Sequence, residues 1–309
     1  MTYNQTKQGV IVVVDSGGSR NDAFVVFRPQ SMILTLYGDY IRHRGGEIWV
    51  ASLIQVLSSF GLSEQAIRSA LSRMTRKGLL QTKRVGKNSY YTLTRRGREM
   101  LDVGARRIFQ RHQEPWDGQW DVVTYSIPER RREVRDRLRQ DLLGLGYGTL
   151  SNATWICPYD RRQEVMVLAN VWKVADCIQV FRAQYQGPGS LQDLVHRCWN
   201  MEKTRQKCAA FLERYRPRYE GCLRRLEAGD PPGEQECFIE RFMLIHEYRR
   251  FSFFDPQLPK ELVPQGWLGS EAAALFQSYH NLLAEGANRY FDSLFQAKPK
   301  ASPQALVSA

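Results

Sequence analysis

The chain of 309 residues contains no run approaching the ~18 consecutive apolar residues of a membrane-spanning helix. Its valine-rich stretch, "VIVVV" at Val10 to Val14, is too short for a signal-peptide core. A cytoplasmic protein with no membrane partner is expected. Cysteine is sparse and scattered: the six, at 157, 177, 198, 208, 222 and 237, form no CxxC pair. That spacing argues against a zinc cage and a redox dithiol, and the thiols are expected to be reduced and structural. Catalytic signatures are missing as well. "DSGGSR" lacks the GK[ST] ending of a phosphate-binding loop, no GxSxG elbow occurs, and after His246 and Glu247 the second histidine of HExxH is replaced by Arg250. No internal repeat is present.

Acid is scarce in one part of the chain only. Residues 1–112 carry 18 Lys and Arg against 7 Asp and Glu, residues 113–195 carry 10 against 11, and the remainder 16 against 14. Nearly all of the formal net charge of +12 therefore belongs to the first third. A uniformly basic protein would adhere to polyanions in general, whereas this asymmetry points to one surface for nucleic acid.

The basic third holds "SEQAIRSALSRMTRKGLLQTKRVGKNSYYTL", whose apolar period changes part-way. Ser63 is a good helix cap, no proline intervenes, and Gly78 stands where a helix ends in a left-handed turn. At about 100° per residue, Ala66, Ile67, Ala70, Leu71 and Met74 make one stripe, while Gln65, Arg68, Ser69, Ser72 and Arg76 centre on the opposite side. Arg73 borders that polar side, which carries no acid. Either side of "VGKN" the composition is strand-like, predicting a hairpin whose turn bears Arg84, Lys87 and Asn88. Upstream, Pro29 opens one helix, "ASLIQVLSSFG" forms a second, and "EIWV" is short enough to be a third strand beside the hairpin.

Helix, short turn, helix and basic ribbon together spell a winged helix-turn-helix. Its second helix is expected to enter a groove of double-stranded operator DNA through Ser63, Gln65, Arg68, Ser69, Ser72, Arg73 and Arg76. Arg84, Lys87 and Asn88 would reach the neighbouring phosphates. "LTRRGREMLDVGARRIFQRH" closes this part as a helix capped by Thr94, with Met100, Leu101 and Ile108 expected to point inward.

The expected organisation is α+β and multidomain: a flexible N-terminal arm at 1–25, the winged helix-turn-helix at 26–112, a ferredoxin-like α+β domain at 113–189, a helical effector and dimerisation domain at 190–297, and a disordered tail at 298–309. In the central part "WDVVTYSI" reads as a strand and "EVRDRLRQDLLGLG" as a helix with Val134, Leu138 and Leu142 in register. "GTLSNATWICPYD", a helical stretch near "RRQEVMVLANVWK" and a strand near "DCIQVFRAQY" complete a strand, helix, strand, helix, strand pattern. Arg130 to Arg132 stand unfavourably near a helix N-terminus; either Glu129 and Glu133 compensate them locally, or they meet an acidic partner. Asp121 invites comparison with metal nucleases of ferredoxin-like fold, but one carboxylate is weak evidence for a metal site.

The strings "RHRGGEIWVASL", "AIRSALSRMTRKGLL", "RVGKNSYYTLT", "PWDGQW" and "HEYRRFSFFDPQLP" together resemble the PaaX family of bacterial repressors of phenylacetate catabolism. The likeness runs from about residue 28 to 297, with the arm before Arg28 outside it. The resemblance implies a homodimeric DNA-binding repressor, not an enzyme, with no cofactor and no metal, released from its operator by an aryl-CoA thioester such as phenylacetyl-CoA. Arg249, Arg250, Phe253, Phe254 and Trp199 suit that effector, aromatics around the aryl group and arginines on the CoA phosphates; the same cluster also suits interhelical or dimer contacts. A metal-dependent nucleic-acid-processing enzyme that docks through the winged head is the alternative.

Overall fold

The computed structural model describes residues 28–110, 115–252 and 255–295, and within the arm the backbone of two short strands. These are β1 (Thr2–Gln5) and β2 (Ile11–Val14), paired antiparallel with Thr2 opposite Val14. The valine run, unassigned in the sequence, is thus a strand. The rest of the arm and the tail at 298–309 lie outside the described residues.

The basic third begins with α1 (Pro29–Asp39), Pro29 in its first turn and Met32, Ile33, Leu36 and Tyr37 buried. Gly45 and Gly46, both at positive φ, then turn the chain into β3 (Glu47–Trp49). β3 leads directly to α2 (Val50–Ser58), and Gly61 at φ 76° redirects the chain into α3 (Glu64–Arg76). Ser63 caps α3 by accepting the Ala66 amide at 3.3 Å, and Ile67, Ala70, Leu71 and Met74 are its buried stripe. A two-residue turn, Gly86 and Lys87, joins β4 (Leu80–Val85) to β5 (Asn88–Leu93), so Arg84 and Asn88 lie on strands rather than in the turn. The three strands run antiparallel in the order β3-β5-β4.

α4 (Arg95–Phe109) is capped by Thr94, whose Oγ1 accepts the Gly97 amide at 3.1 Å. The expectation for Met100 fails: it is exposed, as are Val103 and Phe109, while Leu101 and Ile108 are half-buried. The face turned inward instead holds Gly97, where a Cβ would stand 2.3 Å from the Leu79 carbonyl oxygen, and Arg107.

The central part comprises β6 (Trp120–Tyr125), α5 (Arg132–Leu145), β7 (Gly148–Ser151), β8 (Thr154–Cys157), α6 (Arg162–Val171) and β9 (Ile178–Ala183). The segment "GTLSNATWICPYD", expected as one strand, is the β7–β8 hairpin with a register shift between Thr149 and Ser151. Sheet order is β7-β8-β6-β9, all neighbours antiparallel. Period-2 alternation gives the sheet two apolar faces. Val123, Tyr125 and Trp155 pack with Leu138, Leu142 and Val165 of α5 and α6. Trp120 and Ile156 pack with Leu194, Val195 and Cys198 of α7 (Leu191–Cys198) and with Leu258 and Leu262.

Four helices follow: α8 (Met201–Glu227), α9 (Glu234–Ser252), α10 (Gly269–Leu282) and α11 (Ala284–Leu294). α9 is buried on nearly all sides between Cys237 and Tyr248, as expected of a helix lacking a polar face there. By their packing the residues form two compact units: Met1–Ala105 with Cys222–His246 and Tyr279–Ala309, and Arg106–Gly221 with Glu247–Ser278. The first has an aromatic centre in which Phe60 lies 4.3 Å from Phe242 and Tyr40 4.9 Å from Phe291, ring to ring. In the second, Tyr248 stacks on Phe276 at 4.0 Å, and Arg107 donates to the carbonyls of Gly144 and Asp255. All six cysteines are free thiols.

Candidate nucleic-acid interface

Burial of Ile67, Ala70, Leu71 and Met74 forces the opposite side of α3 outward, and that side is open. Ser63, Gln65, Arg68, Ser69, Ser72, Arg73 and Arg76 are all exposed. Two of the arginines are held along the helix. Arg68 Nε donates to Glu64 Oε1 at 2.7 Å, and Arg73 Nη1 to Ser69 Oγ at 2.7 Å. Glu64 lies outside the central stripe of this face, yet its i, i+4 spacing to Arg68 brings the two together. An exposed pair of this kind is weak.

The β4–β5 ribbon adds a second cationic group. Gln81, Thr82, Lys83 and Arg84 are exposed one after another, so both faces of β4 are open to solvent instead of alternating. Lys87 and Asn88 at the tip are exposed too. Lys83 therefore belongs with Arg84 and Lys87, although the sequence reading omitted it; Lys77, at the end of α3, is likewise exposed. Forked guanidiniums, hydroxyls and an amide on a helix suit base edges, and point-like ammonium groups on a projecting ribbon suit phosphates.

The five residues expected around an effector are placed less uniformly. Arg249 is half-buried, its guanidinium pushed down to about 10 by burial and by the neighbouring charge of Arg250, which itself is exposed. Phe253 and Phe254 lie outside the described residues. Trp199 donates its indole N–H to the Gly146 carbonyl at 3.2 Å, has Trp120 at 6.2 Å, and covers Gly148, where a Cβ would come within 2.4 Å of the indole. Those partners belong to the central sheet and its helices.

Arg131, Arg132, Glu129, Asp121 and His246 are engaged within the chain. Arg131 donates to the carbonyls of Trp172 and Lys173 at the end of α6, and Arg132 lies 4.0 Å from Glu129 and 3.8 Å from Asp136. Arg135 pairs with Glu129 at 2.9 Å and lowers that carboxyl. Asp121 is fully buried; its Oδ2 accepts from Tyr147 Oη at 2.5 Å and from the Arg161 amide at 3.2 Å, and burial raises its carboxyl above the usual range. His246 is buried with Nδ1 2.8 Å from Thr35 Oγ1. Among the described residues no three His, Cys, Asp or Glu side chains gather in a metal-binding group, and no helix is long and apolar enough to cross a membrane.

Three family profiles match in succession: PaaX-like protein over residues 28–97, PaaX protein central Cas2-like domain over 113–195, and PaaX-like protein C-terminal domain over 199–293. The chain belongs to the PaaX family. The transcriptional repressor PaaX of Escherichia coli is 32% identical over 260 residues, which is 83% of this chain and 81% of the relative. The PaaX family is accordingly one of transcription regulators rather than enzymes. Among solved structures, an uncharacterized protein from Mycobacterium tuberculosis superposes with a TM-score of 0.53 at 22% identity, covering 86% of this chain and 98% of its own. That likeness concerns the fold alone.

Proposed function

We propose that this protein is a sequence-specific, DNA-binding transcriptional repressor of an aromatic-acid catabolic pathway of the phenylacetate type, acting as a cytoplasmic homodimer. The observation that carries the reading is the exposed, acid-poor outer side of α3 next to the exposed basic β4–β5 ribbon, in a chain matched by PaaX profiles along most of its length. On this reading α1, α2, α3 and the β3-β5-β4 sheet are a winged helix-turn-helix, and the β7-β8-β6-β9 sheet with α5 and α6 is a ferredoxin-like domain. α3 lies in the major groove with Arg68 as a bidentate partner of guanine. Lys83, Arg84 and Lys87 hold the backbone beside it.

The two heads of a dimer then read half-sites about one helical turn apart, ~34–36 Å, or a multiple of it. An aryl-CoA thioester such as phenylacetyl-CoA releases the repressor by binding the non-operator geometry more tightly, because equal binding to both geometries shifts nothing. Arg249 and Arg250, with Phe253, Phe254 and Trp199, are the proposed effector residues. The test is a footprint of the purified protein on the DNA upstream of its own gene, with a panel of acyl-CoA thioesters and the matching free acids. Protection lifted by an aryl thioester and not by its acid is the expected result; protection of random duplex to the same degree overturns the repressor reading.

A further inference from the structure

The start of α8 and the end of α9 bring charges of one sign together inside the second compact unit. The two helices touch there: Tyr215 Oη donates to Glu247 Oε2 at 2.9 Å, and the rings of Phe211 and Tyr248 lie 5.4 Å apart. From Phe211 toward the start of α8 stand Lys207 and then Lys203, an i, i+4 pair of like charges. Asn200 Oδ1 accepts the Lys203 amide at 2.9 Å, so both lysines occupy the first two turns of α8, where the helix dipole favours anions. Arg250 lies in the last turn of α9, two residues past Tyr248, with Arg249 half-buried beside it. Burial and the charges of Lys203 and Arg250 push the Lys207 ammonium below its ordinary range, and burial with Arg250 does the same to Arg249. Along the two helices, the carboxylates within four residues of these cations are Glu202 and Glu247. Both are engaged elsewhere, Glu202 by Arg205 at 2.9 Å and Gln206 at 2.9 Å, Glu247 by Tyr215 and by Arg214 at 3.1 Å. Among the described residues neither Lys203 nor Arg250 has a carboxylate partner.

We propose that Lys203, Lys207 and Arg250 form a phosphate subsite that takes the nucleotide end of a coenzyme A thioester. That end carries a diphosphate and a ribose phosphate, several negative charges in one small group, whereas a free carboxylate offers only one. Cations that oppose one another's charge are stabilised most by such a polyanion. Arg250 suits a forked contact to two phosphate oxygens, and the lysines suit point contacts. Their setting separates these cations from those of the β4–β5 ribbon. Lys83, Arg84 and Lys87 are exposed, as contact with a duplex backbone requires, whereas Lys207 and Arg249 are half-buried, a setting that suits a small anion. The inference rests on the effector reading for the identity of the ligand. It adds Lys203 and Lys207 to that site and assigns the end of the ligand that they hold.

The test titrates the full chain calorimetrically with three probes: phenylacetyl-CoA, phenylacetyl-pantetheine, which lacks every phosphate, and the phosphoadenosine diphosphate fragment of coenzyme A. Lys203→Gln, Lys207→Gln and Arg250→Gln are each expected to weaken phenylacetyl-CoA and the fragment by about five-fold or more. Each should bind phenylacetyl-pantetheine as wild type does, and Lys207→Arg, which keeps the charge, should stay near wild type with every probe. Circular dichroism checks that the variants are folded. Variants that bind phenylacetyl-CoA as tightly as wild type overturn the subsite and leave the effector reading standing. An equal loss of phenylacetyl-pantetheine also overturns it, because phosphates are then not what the cations meet. Variants that lose affinity for operator without any ligand, with a flattened salt dependence, assign these cations to DNA and overturn it as well. A wild type that binds the fragment as tightly as the whole thioester, and stays on operator with either, defeats the effector reading while the subsite survives. A wild type that binds no probe defeats both.

Discussion

Asp39 on α1 and Arg241 on α9 form an ion pair, carboxylate oxygen to guanidinium nitrogen 3.2 Å, with less than a tenth of either side chain exposed. The other Asp39 oxygen lies 3.0 Å from His280 Nε2, and Arg241 Nε donates to the His280 carbonyl at 3.2 Å. The helix that opens the basic third is thereby tied to two helices from the far end of the chain. Replacing Arg241 by Met leaves a buried carboxylate without its cation, and an expected loss of about 3–5 kcal/mol follows. Joint replacement of Asp39 by Leu and Arg241 by Met should recover much of that loss, a non-additivity that urea unfolding of the single and double variants measures.

Arg68→Ala is expected to weaken operator binding by about 1–3 kcal/mol and to relax preference at one base pair. Arg84→Ala and Lys87→Ala should instead weaken operator and random duplex alike, each flattening the logarithmic salt dependence by about 0.9. Competition binding at several salt concentrations distinguishes them, and an equal effect from both classes of variant would remove the division of labour between α3 and the ribbon.

Gly148 lies under the indole of Trp199, with a Cβ position 2.4 Å from the ring. Gly148→Ala must displace either the indole or β7, at a cost of about 1–3 kcal/mol typical of overpacking. A lowered unfolding midpoint accompanied by a shift in tryptophan emission is the expected record.

Burial raises the Asp121 carboxyl above its ordinary range. The folded protein therefore holds this proton at pH values where the unfolded chain has released it, and stability falls as pH rises from the unfolded carboxylate range through the raised one. Asp121→Asn removes that dependence. Its melting temperature relative to wild type is expected to increase between pH 4 and pH 7, and a constant difference across that interval would contradict the assignment.

Arg250 is exposed, so Arg250→Ala should leave the unfolding midpoint within a degree or two of wild type, as surface substitutions generally do. On the proposed effector reading it weakens phenylacetyl-CoA binding at least several-fold in calorimetric titration. Unchanged affinity removes Arg250 from the effector site.

What could be read in advance was local. The cap at Ser63, the stripe Ile67, Ala70, Leu71 and Met74, and the left-handed Gly78 all depend on neighbours within a turn or two, and α3 follows from them. The β7–β8 hairpin escaped because two four-residue strands with a register shift between them leave too little alternation to count. Met100 was misplaced since α4 turns Gly97 and Arg107 inward, an arrangement fixed by the Leu79 carbonyl and by the carbonyls of Gly144 and Asp255, far away in sequence. The Asp39, Arg241 and His280 cluster joins residues some two hundred positions apart, beyond the reach of any periodicity. At the candidate site the cations of α3 were legible one by one, whereas Lys83 became part of the set only when β4 proved open on both faces.

The bond from Arg68 to Glu64 gives the reading helix an internal rival for its own fork. On the proposed function, a guanine offering two acceptors displaces the carboxylate, while a base edge offering an amino group in the same place does not. An exposed pair is worth no more than about 1 kcal/mol, so the threshold is low, enough to keep the guanidinium occupied during a search along unrelated DNA and to yield when the right edge arrives. Selectivity would then reside partly in a residue that never touches a base.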